Sequence, residues 1–322
     1  MIPAPSILDR IGNTPMVQLK RVTSGPATPI YGKCEFLNPG GSVKDRIALA
    51  IVNDAEERGV LKPDMTLIEA TAGNTGIGLA MIAAIRGYRL VCVMPEKMSM
   101  DKRTALTAVG AEVMMVPNAP LSSSENFQNV ARRLAAERGW FLTDQFANPA
   151  NPCIHETTTG PEVLAQCGGH VGAFVCGVGT GGTITGVGLY LKTHCPGVCI
   201  VMADPVGSRL AHFVDPRHPD RDAAYAMEGI GGSRWPVACD PNVIDEAEPV
   251  ADEEAFAMTR RLIAEEGLLV GASSGAAVVA ALRVAARGCA GPVVALLADS
   301  WDRYLSRPWM QAASLPAMPA IL

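Results

Sequence analysis

In Gly40-Gly41-Ser42-Val43-Lys44-Asp45-Arg46 a lysine follows a glycine–serine turn, and the apolar spacing Ile47, Leu49, Ala50, Ile51 begins directly after it. The pattern predicts a loop opening a helix that runs to about Gly59, with Ser42 as N-cap and Lys44 in the first turn. The positive end of a helix dipole disfavours a cation there. That field, with some burial, lowers a lysine pKa and favours the neutral amine that Schiff-base chemistry needs. A surface lysine in a first helical turn is the simpler reading of the same residues. Two other stretches, Thr71-Ala72-Gly73-Asn74-Thr75-Gly76 and Gly179-Thr180-Gly181-Gly182-Thr183, each link a buried strand pattern to an apolar helix. Such junctions offer backbone N–H groups to an anion. Neither is a Walker A loop, and neither fits G-x-G-x-x-G followed by an acid. Gly271-Ala272-Ser273-Ser274-Gly275 looks like a nucleophile elbow, but the last histidine, His218, precedes it, against the hydrolase order.

The elements that must position these turns alternate. Strands are expected at Met16–Leu19 and Ile30–Glu35, with a Gly25-Pro26 loop between them. Further strands are expected at Thr66–Ala70, Leu90–Met94, Glu112–Val116, Trp140–Leu142, Ala173–Val178, Val198–Ala203 and Val293–Leu297. Helices are expected at Ile77–Arg86, Lys102–Val109, 125–138, His155–Gln166, Ile184–Lys192, Glu253–Glu266 and 276–286. This alternation predicts an α/β fold with a mostly parallel sheet. Residues 207–250, rich in Pro, Gly and Asp, read as an irregular excursion.

The length of 322 residues suits two domains, and 48% apolar against 18% charged residues supplies a large core. A net charge of −5 with no basic run gives no footprint for nucleic acid. No stretch is apolar enough to span a bilayer, and Met1-Ile2-Pro3-Ala4-Pro5 has no leader character, so a cytoplasmic protein is expected. The nine cysteines are odd in number and scattered, and read as small buried hydrophobes. Cys195 and Cys199 beside His194 lack a second pair at zinc spacing, so no metal site is expected.

Taken together, Ser42-Val43-Lys44-Asp45-Arg46, Gly73-Asn74-Thr75-Gly76, Gly179-Thr180-Gly181-Gly182-Thr183 and Ser273-Ser274-Gly275 resemble, in order and spacing, the fold type II pyridoxal-phosphate enzymes. The branch is that of cysteine synthase and cystathionine β-synthase, and the likeness runs from about Ile7 to Trp309. It implies two domains, each a mostly parallel twisted sheet flanked by helices. Residues 38–148 would form a smaller mobile lid, and residues 1–37 and 149–322 the larger domain that binds the cofactor phosphate. It implies that Lys44 carries pyridoxal 5'-phosphate covalently and later moves the α-proton. Asn74 would meet the ring oxygen, and Gly179, Thr180, Gly181, Gly182 and Thr183 would cradle the phosphate. Ser273 would meet the pyridine nitrogen, a neutral hydroxyl that suits β-elimination and replacement. Thr71, Ala72, Gly73, Thr75 and Gln145 would hold the substrate's carboxylate, and Gly229-Ile230-Gly231 would line the mouth.

The implied reaction replaces the β-substituent of L-serine, or of its O-acetyl or O-phospho ester, with homocysteine or sulfide. It gives cystathionine or cysteine, in a homodimer. Where the family reads Thr-Ser-Gly-Asn, Ala72 removes a hydroxyl whose hydrogen bond to a charged group is worth roughly 1.5–3 kcal/mol. Met94-Pro95-Glu96-Lys97-Met98-Ser99, Glu266-Gly267-Leu268-Leu269 and Asp299-Ser300 look like a cystathionine β-synthase core. Gly229-Ile230-Gly231-Gly232-Ser233-Arg234-Trp235-Pro236 and Asp302-Arg303-Tyr304-Leu305 look more like synthases that join O-phosphoserine to the amine of glutamate on the way to 2,3-diaminopropionate. Arg234 would then meet an added carboxylate or phosphate at the mouth; otherwise it is a surface arginine. A catalytically weak regulatory relative is a third reading, and retention of Lys44, Asn74 and Ser273 argues against it. Asp45 and Arg46 are expected to pair with neighbours, and His155 to cap or pack. Tyr304 is expected as a core tyrosine, with a reach to the cofactor pocket as the alternative, and Arg103 as an exposed helix cation, with contact to the second substrate as its alternative.

Overall fold

The computed structural model describes residues 4–23, 28–71, 73–98 and 100–311; the Gly25-Pro26 loop and Ala72 lie outside them. The strands are β1 (Met16–Leu19), β2 (Ile30–Cys34), β3 (Thr66–Ala70), β4 (Arg89–Pro95), β5 (Glu112–Val116), β6 (Phe141–Leu142), β7 (Ala173–Gly177), β8 (Cys199–Pro205), β9 (Glu246–Val250) and β10 (Val293–Leu297). The helices are α1 (Lys44–Glu57), α2 (Asn74–Arg86), α3 (Met100–Ala108), α4 (Phe127–Arg138), α5 (Ala150–Ile154), α6 (Gly160–Gln166), α7 (Gly182–His194), α8 (Leu210–Val214), α9 (Asp252–Glu266), α10 (Ala272–Ala286) and α11 (Pro308–Gln311).

Two sheets form. A six-stranded sheet has the order β1-β2-β10-β7-β8-β9, and a four-stranded sheet the order β5-β4-β3-β6. Every pairing is parallel except β1 with β2. Parallel strands need crossover helices, which cover both faces, and β3 and β10 are accordingly buried along their whole length. Leu67, Ile68, Phe174 and Val293 are among the fully buried side chains, each contributing about 1.5–3 kcal/mol over the exposed state. The alternation read from the sequence is the α/β architecture observed.

The differences cluster at helix starts. α2 begins at Asn74, α7 at Gly182 and α10 at Ala272, so the last residues of each glycine-rich turn sit in the first turn of the helix. Small and polar residues are tolerated there because the first N–H groups need no intrahelical partner. Ser42 is not the N-cap of α1. Val43 occupies that position without a side-chain cap, and the Ser42 hydroxyl accepts the Lys44 N–H at 3.2 Å. The cause is tertiary: Ser42 bridges to Asp299, and the Val43 N–H donates to the Ala298 carbonyl at 2.9 Å. The expected helix over His155–Gln166 is interrupted by a π-helical turn at His155–Thr159. The excursion at 207–250 hides β9, which pairs with β8 at the sheet edge.

Candidate functional site

A cavity of about 670 Å³ opens between the two sheets. Its wall takes Ala70 from the end of β3, Pro95 from β4, Gly177 from β7 and Leu296 from β10. Those are the carboxyl ends of parallel strands, where open α/β sheets place ligands. Four helices also present their N-terminal residues to it: Lys44 of α1, Asn74 and Thr75 of α2, Thr183 of α7 and Ser273 of α10. Four converging N-termini make the cavity favourable for anions.

Burial holds the Lys44 amine below the usual lysine range, while Asp299 pulls the other way. A neutral amine therefore becomes accessible nearer neutral pH. α1 is clamped two residues on: Arg46 donates to Glu35 at 2.8 Å and to Glu162 at 2.7 Å, and buried Lys33 meets Glu162 at 2.6 Å. That network ties the lysine helix to β2 and α6. Asp45 accepts the Gly40 N–H at 2.5 Å across the turn, as expected, whereas Arg46 reaches past the turn to Glu35 and Glu162.

On α2, the Asn74 amide nitrogen donates to Asp299 Oδ2 at 2.7 Å, and the Tyr304 hydroxyl donates to the same oxygen at 2.7 Å. Burial pushes the Asp299 carboxyl up, and the bonds from Tyr304 and Asn74 hold it down. The Thr75 hydroxyl donates to Gln145 Oε1 at 2.6 Å. Beneath them Glu69 accepts from the Thr143 hydroxyl and the Gln145 N–H, and burial pushes its carboxyl up to about 7. Thr71, Gly73, Thr75 and Gln145 all line the cavity, while Ala72 lies outside the described residues.

The second glycine turn brings Gly179, Thr180, Gly181 and Thr183 to the wall. A Cβ on Gly179 would overlap the Gly229 carbonyl, and Gly181, at φ +85°, would meet Cys239. The turn backbone is therefore bare toward the cavity. Gly182 is not on the wall; it packs against the Asn151 side chain. Asn151 donates to Thr180 Oγ1 at 3.0 Å and to the Gln145 carbonyl at 2.8 Å. His155 Nε2 lies 3.1 Å from Thr183 Oγ1, and its Nδ1 lies 2.8 Å from Thr159 Oγ1. Burial keeps this imidazole well below its usual range, so it is neutral. His155 therefore packs, as expected, but against the turn rather than away from it.

Ser273 lines the cavity, whereas buried Ser274 accepts the Ala298 N–H at 3.1 Å. Gly229, Ile230 and Gly231 line the mouth, and Tyr304 lines the wall from the core. Arg234 is exposed and does not line the cavity. Arg103 binds its own segment through the Glu96 and Met98 carbonyls at 2.7 and 3.2 Å. Among the described residues no three His, Cys, Asp or Glu side chains gather as a metal site, and the cysteines are free.

Sequence reasoning quoted Asp299 only as a mark of resemblance and gave it no place at the site, and it passed over Asn151 and the contact of His155 with Thr183. Asp299 carried a signal: it is a carboxylate two residues after an apolar parallel strand, on the side where such sheets bind ligands. Asn151, His155 and Thr159 recur at spacings of four, and they are the buried positions of a segment whose intervening residues are half-buried or exposed.

A family model described as pyridoxal-phosphate dependent enzyme matches residues 7–299. The cystathionine β-synthase of Rattus norvegicus is 46% identical over 308 residues, covering 94% of this chain and 55% of that protein. The cystathionine β-synthase of Apis mellifera is 47% identical over 287 residues, covering 87% of this chain and 56% of that one. The chain thus spans about half the length of these curated relatives. A crystal structure of O-ureido-L-serine synthase superposes with a TM-score of 0.89 at 40% identity, covering 97% of each chain. A lysine-to-alanine variant of an O-ureido-L-serine synthase, with O-ureido-L-serine bound, superposes at 0.88 and 40%, covering 97% of this chain and 95% of that one.

Proposed function

The chain belongs to the pyridoxal-phosphate dependent enzymes, and on that premise we propose that it performs β-replacement on L-serine or an O-activated L-serine, with homocysteine or sulfide as the incoming thiol. One observation carries the reading. Lys44, Asn74, Ser273 and the turn residues Gly179, Thr180, Gly181 and Thr183 come from four separate segments and line a single cavity. The likeness to cystathionine β-synthases supports serine as donor and homocysteine as acceptor.

The residues present fit the cofactor. The bare backbone of Gly179 and Gly181 at the start of α7 suits a phosphate, held by N–H groups and the helix field. When bound, pyridoxal phosphate supplies the electron sink for charge left on the substrate's α-carbon. Lys44 would hold it through Nζ and then move the α-proton between Cα and Nζ, a task eased by an amine below its usual range. Asn74 would meet the ring oxygen and Ser273 the pyridine nitrogen. Thr71, Thr75 and Gln145, with Ala72 and Gly73, would hold the amino acid's carboxylate at the N-terminus of α2, and Gly229 would line the mouth. Gln145 arrives already oriented by the Thr75 hydroxyl. The same reading expects a cytoplasmic homodimer in which residues 38–148 close over the cavity. The amine-nucleophile alternative leaned on Arg234 at the mouth, and its exposed position off the wall weakens that support.

The test is the absorption spectrum of the purified protein with pyridoxal phosphate, recorded while L-serine, O-acetyl-L-serine and O-phospho-L-serine are added separately. A visible band absent from Lys44→Ala and altered by one donor is the expected result. Turnover in Lys44→Ala should fall about 10²–10⁴-fold, the usual worth of a general acid–base group. Serine with homocysteine giving cystathionine supports the first reading. Turnover only of O-phospho-L-serine with an amine would replace it.

A further inference from the structure

Asp299 stands where three of the four site segments meet. Its backbone bridges to Ser42 beside the lysine turn, and its carbonyl accepts the Gly271 N–H at 3.0 Å at the entrance to the Ser273 helix. Its side chain reaches the third segment through the Asn74 bond at 2.7 Å. The residue is 3% exposed, and Oδ2 takes both Asn74 and Tyr304 while Oδ1 has no partner. Space for it is reserved, because a Cβ on Gly271 would overlap Oδ1.

We propose that Asp299, steadied by Tyr304, is a positioning residue that sets the orientation of the Asn74 amide toward the bound cofactor. This rests on the cofactor reading above. The chemistry is that of an acceptor facing an amide. A carboxylate oxygen accepts and cannot donate, so the amide nitrogen of Asn74 must face it. One N–H is thereby spent on Asp299, and the second N–H of the same nitrogen is directed elsewhere in a fixed plane. Without Asp299 the amide is free to turn over and present its oxygen instead, which would repel the electron-rich ring oxygen of the cofactor. Tyr304 donates to the same Oδ2 and fixes the carboxylate in place, so the amide has one stable orientation.

The experiment compares wild type, Asp299→Asn, Tyr304→Phe, Asn74→Ala and the Asp299→Asn/Asn74→Ala pair, each loaded with pyridoxal phosphate. The readouts are the position of the visible absorption band, cofactor fluorescence, and kcat separately from KM. Asp299→Asn should shift the band in the same direction as Asn74→Ala. The pair should shift it no further than the larger single change, because both act on one contact. Tyr304→Phe should give a smaller shift of the same sign. Turnover in Asp299→Asn should drop by up to roughly a hundredfold, the cost of misplacing a reacting group, with KM for the donor little changed. A residue that merely braces the fold would lower the melting temperature and leave the band in place, and that result in Asp299→Asn and Tyr304→Phe overturns the proposal. If Asp299→Asn fails to fold by circular dichroism, Tyr304→Phe decides alone. Absence of a lysine-dependent band in wild type removes the functional reading and this proposal with it, whereas a normal wild-type band with unshifted variants overturns only the proposal.

Discussion

Single side chains here carry charge that burial makes costly, and Glu69 shows how that cost reads out. Its carboxyl rises from an ordinary 4.5 to about 7 in the folded chain. An acid raised on folding adds stability below its unfolded pKa and loses it as pH climbs through the folded value. For Glu69 that window is about pH 4.5 to 7, and the loss is about 3 kcal/mol at 1.36 kcal/mol per unit. Glu69→Gln keeps an acceptor for the Thr143 hydroxyl and cannot ionise. Denaturant midpoints at pH 5 and pH 8 should therefore move in the variant's favour at the higher pH. A difference between variant and wild type that is flat across that range would refute the assignment. At this scale the sequence spoke clearly about Lys44, since an odd cation at a helix start is a local pattern. It assigned no role to Glu69 or Asp299, because Thr143 and Asn74, which bond them, come from remote segments.

The elements were legible wherever burial is continuous. β3, β7 and β10 read as apolar runs bounded by turn residues, and their ends agree with the structure to within a residue. β9 was not legible, because Glu246-Ala247-Glu248-Pro249-Val250 is an edge strand. Edges tolerate proline and charge, which erase the hydrophobic pattern. The π-helical turn at His155–Thr159 was hidden for a different reason: it changes the hydrogen-bond register and not the composition. α7 makes its own prediction. Its approach to the cavity depends on Gly179 having no Cβ, since the atom that one would strike is the Gly229 carbonyl, part of the backbone. Gly179→Ala should weaken pyridoxal phosphate binding at least about tenfold, consistent with an overpacking cost of roughly 1–3 kcal/mol. A fluorescence titration of the apoprotein measures it, and wild-type affinity would show that the turn can yield.

Across the whole molecule the two sheets face each other over the cavity, and one ion cluster spans the gap. Glu228, beside the mouth glycines, takes Lys102 of α3 on one oxygen and Arg307 on the other, the latter at 2.6 Å. If residues 38–148 close as a lid, this cluster holds it shut. Glu228→Gln should change stability by no more than about 1 kcal/mol, as partly exposed pairs do, yet speed release of a bound serine analogue. Stopped-flow release rates that rise with salt in wild type and not in the variant would establish the latch; equal salt dependence would remove it. Which strands neighbour each other was beyond the sequence, because β2 at Ile30 pairs with β10 at Val293. That pairing has a consequence for how the chain is made. The four-stranded sheet lies within 66–142 and is complete early in synthesis, whereas the six-stranded sheet lacks the strand between β2 and β7 until Leu297 has emerged. Contacts so distant along the chain form slowly. The lysine turn receives its Ala298 and Asp299 partners only then, so the chain assembles its chemistry last. A nascent chain stopped short of β10 would carry one finished sheet and no place to bind the cofactor, and the cofactor itself would reward only finished molecules.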